Sequence, residues 1–438
     1  ITGDQNLTVR LALDATLDVI DMSAATGNVS IVTANDGSTP DALVATVDVA
    51  DITITGGAGN DTINLSANAA NNEINVNGGA GDDTVTVGNV LANSSTTSVG
   101  DVLVGGAGAD TLVADIDLVD AVAVTTALTG ISGFQTLSLL GFAAQANILN
   151  VVDISTDINA VTIGTATGGA TTINFAAGSN TVNIGGAAAI LDDDTLAVDA
   201  AGTAAGDALT IANTNVATGT AQIGANDTNI TVTDYETVTI DVGSYDTATA
   251  QLVNAINIGA ANALALTGSN GLTTTATTGI ITAATIDASG MTGALTMNVA
   301  AASGLTSITG TSGADELRGD AASTIDGGAG NDTIVGGSGN DTLNGEAGND
   351  TITTGAGSDA VTGGAGNDTL TFAGNLSAAD TVDGGDGTDD MSVTNASLTA
   401  LNAFTISESN TFNSGFSNVE QLTITDALNQ TSFDLGYL

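Results

Sequence analysis

Aliphatic residues recur every nine positions between residues 327 and 370, and the positions between them are small or polar. One period is "GGAGNDTIV" from Gly327: a glycine-rich turn, an aspartate, a polar residue and an aliphatic residue. Such a short segment predicts a strand that points its aliphatic side chain inward and the neighbouring side chains outward. Two periods then make one coil of turn, strand, turn and strand, and coils stack as parallel strands about 4.8 Å apart. The pattern predicts an all-β fold, a parallel β-solenoid.

The nine-residue unit can be written G-G-x-G-x-D-x-U-x, where U is aliphatic. Copies in or near a tandem block start at Gly310, Gly327, Gly336, Gly345, Thr354, Gly363 and Gly384, and dispersed copies start at Gly56, Gly78 and Gly105. A decayed copy starts at Gly319, where counting places Thr324 at the aspartate position. Glycine permits the tight turn with positive φ, and aspartate supplies a hard oxygen ligand.

Turns on the same side of the solenoid come from alternate repeats, because two repeats complete a coil. This rule sorts the aspartates into rows of stacked carboxylates. The predicted rows are Asp315, Asp332, Asp350, Asp368 and Asp389; Asp341 and Asp359; and, from the dispersed copies, Asp61, Asp83 and Asp110.

Outside these blocks, polar and apolar residues often alternate, as in "TTINFAAGSNTVNIGG" (Thr171–Gly186), which predicts short strands. Three similar segments, "FQTLSLL" from Phe134, "YETVTI" from Tyr235 and "VEQLTI" from Val419, are interpreted as strands that close a module. They suggest modules at 1–142, 143–243 and 244–438, the last with the tandem block at 310–392. One continuous solenoid is the alternative.

Weaker features complete this pass along the chain. Decayed copies lie at Gly202, with Asp207, and at Asp192, and the segment Asn402–Phe412 is compatible with a turn or two of helix. No apolar run is long enough to span a bilayer. The chain starts at Ile1 without a signal-peptide pattern, so we expect a processed or partial product.

Charge restricts the possible partners. The 438 residues include 49 acidic and two basic ones, for a formal net charge of −47. Nothing could neutralise the phosphates of a nucleic acid, and an anionic membrane surface would repel the chain. Cysteine and histidine are absent, and so is lysine. Carboxylates could form a glycosidase pair, but they concentrate in the turns, so we expect no enzymatic activity.

Stacked carboxylates need a positive partner. Two of them at about 5 Å repel by about 0.8 kcal/mol in water and about 3 kcal/mol at an effective dielectric constant of 20. The three rows contain seven gaps, and one divalent cation in each would relieve this repulsion. Oxygen ligands without histidine or cysteine favour Ca²⁺ over zinc or copper. The alternative is that the turns are merely the solvated turns of an acidic solenoid.

The nonapeptide resembles the repeat of the RTX calcium-binding β-roll family, over roughly residues 56–113 and 310–392. The resemblance implies that the aspartates named above and turn carbonyls coordinate Ca²⁺ between stacked turns. Among the carbonyls, those of Gly328, Gly330, Gly337 and Gly339 are candidates. Glu346 departs from the pattern at the second position of its turn, where its carbonyl is retained.

In composition the chain resembles the calcium-dependent surface-layer proteins of Gram-negative bacteria that carry RTX repeats. This implies type I secretion, a location on the bacterial cell surface and self-assembly into a two-dimensional lattice or filament. It also implies anchoring to a cell-surface polysaccharide, through a segment that the sequence does not identify. An RTX adhesin or biofilm-matrix protein is the alternative. A lesser one is ice binding by threonine ladders at Thr333, Thr342, Thr351 and Thr369.

Overall fold

A computed structural model describes much of the chain, in segments. They are residues 2–3, 7–11, 19–21, 23–27, 29–33, 52–65, 74–87, 102–114, 130–139, 147–164, 171–184, 195–201, 206–213, 229–243, 251–253, 255–259, 262–274, 281–297, 305–319, 321–372, 376–377, 379–394 and 415–425. The helical turn suggested at Asn402–Phe412 and the decayed copy at Asp192 lie outside these segments.

Parallel strands make up almost all regular structure in these segments. The strands are numbered β1 to β40 along the chain, and the described part contains one helix, α1 (Val151–Ile154). None of the described residues forms a helix that could cross a bilayer. The predicted all-β parallel solenoid is confirmed.

The chain divides into two compact units, residues 1–209 with 214–216 and residues 210–213 with 217–438. In the first unit, one ladder contains β3 (Val19–Asp21), β6 (Ile52–Thr55), β8 (Ile74–Ala80), β10 (Val102–Ala107) and β12 (Ile131–Ser132). A second contains β2 (Leu7–Leu11), β5 (Val29–Thr33), β7 (Thr62–Leu65), β9 (Thr84–Val87), β11 (Thr111–Ala114), β13 (Thr136–Leu139), β15 (Ala160–Ile163) and β17 (Ser179–Ile184). The remaining strands are β14 (Asn147–Asn150), β16 (Thr171–Ala176) and β18 (Thr195–Ala201), and the pair β1 (Thr2–Gly3) and β4 (Ala24–Ala25).

The second unit has two long ladders. One contains β21 (Thr237–Asp241), β24 (Ala263–Gly268), β27 (Thr285–Met291), β29 (Ser307–Thr309), β31 (Thr324–Asp326), β33 (Thr342–Ala347), β35 (Ala360–Gly366), β37 (Thr381–Gly387) and β39 (Phe416–Ser417). The other contains β22 (Gln251–Val253), β25 (Leu272–Thr274), β28 (Leu295–Thr296), β30 (Glu316–Arg318), β32 (Thr333–Ser338), β34 (Thr351–Ala356), β36 (Thr369–Phe372), β38 (Asp390–Val393) and β40 (Gln421–Ile424). A short ladder contains β20 (Asn229–Thr233), β23 (Ala255–Asn257) and β26 (Ile281–Thr282), while β19 (Ala208–Asn213) runs across the chain boundary between the units.

The core is a stack of aliphatic side chains, one from each strand, in register. Ile334 of β32 pairs with Ile352 of β34, which pairs with Leu370 of β36, and all three are fully buried. Each contributes roughly 1.5–3 kcal/mol of hydrophobic stabilisation. The flanking threonines face outward, as the alternation predicts. This stack holds the turns of successive coils directly above one another.

Two of the three similar segments begin with a buried aromatic residue, whereas Val419 of the third is half-buried. Phe134 and Tyr235 precede β13 and β21 and are buried, with exposed fractions of 0 % and 1 %. The division into three modules at residues 142 and 243 stays a prediction.

The decayed copy at Gly319 requires a correction. The sequence count places Thr324 at the aspartate position, but Thr324 pairs in register with Thr342, the residue that follows Asp341. Ser323 takes the aspartate position instead, and its N–H donates to Oδ1 of Asp341 at 2.8 Å. The count was wrong by one because this turn is one residue shorter than the others.

Candidate metal centre

All ten aspartates predicted as ligands lie in turns directly before a strand, and all are buried. Their exposed fractions are 3 % or less; the residues are Asp61, Asp83, Asp110, Asp315, Asp332, Asp341, Asp350, Asp359, Asp368 and Asp389. A buried carboxylate is costly unless it is paired, hydrogen-bonded or bound to a metal. The hydrogen-bond partners of these carboxylates therefore show whether the turns need a metal ion.

Backbone N–H groups and carboxylate oxygens of these aspartates form hydrogen-bond ladders along the stack. The N–H of Asp332 donates to Oδ1 of Asp350 at 2.8 Å, and the N–H of Asp350 donates to Oδ1 of Asp368 at 2.8 Å. The same bond joins Asp61 to Asp83, Asp83 to Asp110, Asp315 to Asp332, Asp368 to Asp389 and Asp341 to Asp359. The structure thus places the aspartates in the three rows that the alternation of repeats predicts. Three ladder steps in the tandem block are 18 residues, which is two nonapeptides, while the first and last steps of the longest row are 17 and 21. The steps of the dispersed row are 22 and 27 residues.

The other carboxylate oxygen has no hydrogen-bond partner in most of these residues. In the described part of the chain this is true of Oδ2 of Asp83, Asp110, Asp332, Asp341, Asp350, Asp368 and Asp389. An unpaired oxygen of this kind carries negative charge in a place that water does not reach. The set therefore calls for a cation.

Each free oxygen faces a backbone carbonyl of the following coil. An ideal Cβ built on Gly327 would lie 2.5 Å from Oδ2 of Asp332 and 2.8 Å from the carbonyl oxygen of Gly345. A Cβ on Gly345 would likewise overlap Oδ2 of Asp350 and the carbonyl oxygen of Gly363. At Gly327 and Gly345 glycine leaves this gap open, because a side chain there would enter it. An aspartate oxygen of one coil and a carbonyl oxygen of the next coil therefore line the same gap.

The donor set suits calcium. Ca²⁺ accepts carboxylate and carbonyl oxygens at about 2.3–2.6 Å, with six to eight ligands in flexible geometry. The described residues contain no group of three or more His, Cys, Asp or Glu side chains that could hold a metal ion. A metal in these gaps must therefore take much of its coordination shell from the backbone, as the first-position carbonyls allow.

The seven predicted gaps are not equivalent. Five have a free oxygen on their upstream aspartate, at Asp83, Asp332, Asp341, Asp350 and Asp368. In the two others, the upstream oxygen accepts a hydrogen bond from its own turn: Oδ2 of Asp61 from the N–H of Gly57 at 2.8 Å, and Oδ2 of Asp315 from the N–H of Thr311 at 2.7 Å. The five gaps are the better candidates, because no donor competes with a cation there.

Sequence comparison agrees with this geometry. Residues 53–69, 96–117, 309–343, 322–352, 335–370 and 377–393 match the family described as the RTX calcium-binding nonapeptide repeat (4 copies). These segments are RTX calcium-binding repeats. They support the assignment of the chain to the RTX β-roll family, and such repeats bind calcium, which the buried aspartates of the turns fit. A search of curated proteins gave no match.

The RTX copy at Gly78 lies outside the matched segments, yet its turn has the same geometry. A Cβ on Gly78 would overlap both Oδ2 of Asp83 and the carbonyl oxygen of Gly105. We therefore treat Asp83 as part of the same row as Asp61 and Asp110.

The carbonyls named from the sequence occupy a different part of the turn. The carbonyl of Gly328 accepts a hydrogen bond from the N–H of Ala347 at 3.0 Å, and those of Gly330, Gly337 and Gly339 face glycines of the next coil on the same side. The carbonyls beside the free aspartate oxygens are those of first-position residues. The ligand role of Gly328, Gly330, Gly337 and Gly339 stays a prediction.

The sequence analysis missed Asp380, which extends the shorter row. Asp380 is buried, and its Oδ1 accepts the N–H of Asp359 at 2.8 Å. Its Oδ2 accepts the N–H of Ser377 at 2.6 Å, so no free oxygen remains on it. The signal was present as "DTV" from Asp380, an aspartate two positions before an aliphatic residue, but no glycine pair precedes it.

A second ladder runs through the residue before each aspartate. The N–H of Asn349 donates to Oδ1 of Asn331 at 2.8 Å, and the N–H of Asn367 donates to Oδ1 of Asn349 at 2.7 Å. This ladder is exposed, and its bonds point toward the preceding coil, opposite to those of the aspartate ladder. The sequence motif leaves this position unspecified.

Turns with asparagine in place of aspartate satisfy their carbonyls without a cation. Nδ2 of the buried Asn180 donates to the carbonyls of Ala176 at 2.9 Å and Gly178 at 3.4 Å. Nδ2 of Asn270 donates to the carbonyl of Val242 at 3.0 Å. The amide supplies the positive end of a dipole where the aspartate turns offer only oxygens. Asparagine turns and aspartate turns are therefore two ways to stack the same coil.

Burial shifts the titration of the aspartates in the rows. It raises the pKa of the Asp83 and Asp350 carboxyls to about 7, and the pKa of Asp332 and Asp341 to about 6. Ladder hydrogen bonds lower each pKa, and neighbouring carboxylates raise it further. Burial also raises the pKa of Asp110, Asp315, Asp359, Asp368 and Asp380.

The calcium-free fold is expected to lose stability as pH rises. A carboxyl whose pKa is higher in the folded than in the unfolded state binds more protons when folded, so stability falls between the two pKa values, from about pH 4 to about pH 7. Thermal unfolding of protein stripped on a chelating resin should therefore show a higher Tm near pH 5 than near pH 8. The comparison is made at high salt, which screens the net charge. A Tm that rises over this window would contradict the assignment.

Proposed function

We propose that the chain is a calcium-dependent structural protein that assembles into an extracellular surface layer on a bacterial cell. The observation that carries the proposal is the set of buried aspartate oxygens without a hydrogen-bond partner in stacked turns. They make the fold depend on a cation that is abundant outside cells. The proposal assigns no catalytic role, since the sequence has no histidine, cysteine or lysine.

The cytosol and the extracellular space differ in their concentration of free calcium. Extracellular calcium modules bind with dissociation constants of about 10⁻⁴–10⁻³ M, far above free cytosolic calcium. Where binding is coupled to folding, the binding free energy is folding free energy. A chain with a net charge of −47 would stay unfolded in the cytosol and fold after export. This agrees with the typical secretion of proteins with RTX repeats.

The outward surface indicates how copies could join. Among the described residues the exposed large hydrophobic side chains are Val102 and Ile148, and most outward strand positions carry threonine, serine, asparagine or aspartate. Contacts between copies would thus be polar, and strongly acidic copies would repel one another without a counterion. Calcium that bridges carboxylates of two copies would make such a polar contact and would also neutralise the repulsion between the copies.

Electron microscopy of the purified protein tests the proposal. We expect ordered sheets or filaments in millimolar calcium, and none in chelator or in magnesium at the same ionic strength. Magnesium is the control for charge screening, because it holds its water shell and demands octahedral geometry. Folded, monodisperse protein in calcium would overturn the lattice and favour the adhesin alternative, and ordered sheets in magnesium would overturn the calcium dependence.

A further inference from the structure

The aspartate rows do not end at their last aspartate. Asp389 is the last aspartate of the longest row, and its N–H donates to Oε2 of Glu420 at 2.8 Å, across a step of 31 residues. Asp110 is the last of the dispersed row, and its N–H donates to Oε1 of Gln135 at 2.7 Å, across a step of 25 residues. A longer side chain thus takes the place of the next aspartate in both cases.

The two row ends share their backbone geometry. The residue two positions before each longer side chain has positive φ, +52° at Asn418 and +73° at Gly133. A Cβ built on Gly384 would lie 2.7 Å from Oδ2 of Asp389 and would overlap the carbonyl oxygen of Asn418. A Cβ built on Gly105 meets Oδ2 of Asp110 and the carbonyl of Gly133 in the same way. Both ends therefore have the carboxylate and the carbonyl of an interior gap.

One atom distinguishes the ends. Nε2 of Gln135 donates to the carbonyl of Gly133 at 3.2 Å, as the asparagine amides do in the cation-free turns. Glu420 has an oxygen in place of that nitrogen, and an ionised carboxylate has no hydrogen to donate. The gap beside Asp389 thus combines the free Oδ2 of a fully buried aspartate with a carbonyl, and the exposed Glu420 brings a second carboxylate to the N–H of the same aspartate.

We propose that Asp389, Glu420 and the carbonyl of Asn418 form a further calcium site, which fixes the last coil of the second unit to the aspartate row. The ligands are hard oxygens with two negative charges, the set that Ca²⁺ prefers. Nδ2 of Asn418 donates to Oδ1 of Asp383 at 2.7 Å, which holds the turn that presents this carbonyl. The corresponding end at Gln135 has one carboxylate fewer, because an amide stands beside the free Oδ2 of Asp110.

This site would control the docking of β39 and β40. β40 follows Glu420 directly and pairs with β38, where Gln421 lies opposite Asp390. β39 contributes Phe416, which lies opposite Val382 of β37. Both strands pair with strands that lie more than 30 residues earlier in the chain, so their pairing carries a loop-closure cost that a bound ion would offset.

A reciprocal exchange tests the site. We expect Glu420→Gln to bind one calcium ion fewer per chain than the wild type, and Gln135→Glu to bind one more, by mass spectrometric metal analysis after equilibrium dialysis. Glu316→Gln is the charge-matched control, because the Glu316 side chain is exposed at the start of β30 although it follows Asp315 in the chain, and the calcium count of this variant should not change. Because two opposite changes are predicted, a folding defect in one variant leaves the other decisive.

Hydrogen exchange supplies the second readout. In Glu420→Gln, the calcium concentration that half-protects residues 421–424 should rise at least about tenfold, because loss of an outer-shell partner of a metal ligand already has an effect of that size. The inference rests on the calcium binding of the turns but not on lattice formation. An unchanged ion count in both exchanged variants overturns this site and leaves the proposed function intact, whereas a wild type that binds no calcium overturns both.

Discussion

Removal of calcium is expected to unfold the coils that carry the aspartate rows. One site adds about 1.4 kcal/mol to stability at a calcium concentration ten times its dissociation constant. The five gaps with a free upstream oxygen would together add about 7 kcal/mol, within the 5–15 kcal/mol that is the whole stability of a typical domain. At low salt, where the net charge is not screened, far-ultraviolet circular dichroism should show loss of β-structure in chelator and recovery when calcium is restored.

The variant Asp350→Asn sharpens this expectation. It removes one buried charge without changing the size of the side chain, and it adds the amide donors found in the turns of Asn180 and Asn270. The variant should be less stable than the wild type in saturating calcium and more stable in chelator. A change of the same sign under both conditions would show that Asp350 acts through packing rather than through a cation.

Substitution of Gly348 by alanine is the second large effect. Gly348 has φ +144°, and a Cβ there would overlap the carbonyl oxygen of Gly330 in the preceding coil. Such backbone strain costs roughly 1–3 kcal/mol, and forced overpacking costs about as much again. We expect a loss of about 3–5 kcal/mol in calcium-saturated protein, measured by chemical denaturation.

Gly178→Ala is the matched control for this prediction. Gly178 has φ +132°, but no atom lies within 4 Å of a Cβ built on it. Alanine at position 178 has the conformational cost without the steric one. The loss of unfolding free energy should therefore stay near that of backbone strain alone, roughly 1–3 kcal/mol. Equal losses in the two variants would mean that the close stacking of turns at Gly348 does not limit stability.

The sequence predicts the repeating part of the fold well, because each position of the nonapeptide has one physical requirement. The first-position glycine leaves space for two oxygens, the aspartate fills the ladder, and an aliphatic residue such as Ile352 fills the core. These requirements are local, so counting in nines locates them. The fold class and the use of calcium follow from that count.

Counting fails where the ladder is maintained by other means. Ser323 takes the aspartate position because its turn lacks one residue, and Asp380 continues a row without a glycine pair. Glu420 makes the same hydrogen bond with a longer side chain, from a turn 31 residues later in the chain. The place of each of these residues in a ladder is defined by its hydrogen bond to the neighbouring coil. That bond depends on the folded coil and cannot be read from the spacing of the sequence.

The opposite directions of the two turn ladders make the ends of a row chemically unequal. In the aspartate ladder, the N–H of Asp368 donates to Asp389, which comes later in the chain. In the asparagine ladder, the N–H of Asn367 donates to Asn349, which comes earlier. A chain that emerges amino end first completes the asparagine ladder first. A chain that emerges carboxyl end first has the acceptors of the aspartate ladder already in place. It therefore completes the aspartate ladder of each coil before the asparagine ladder.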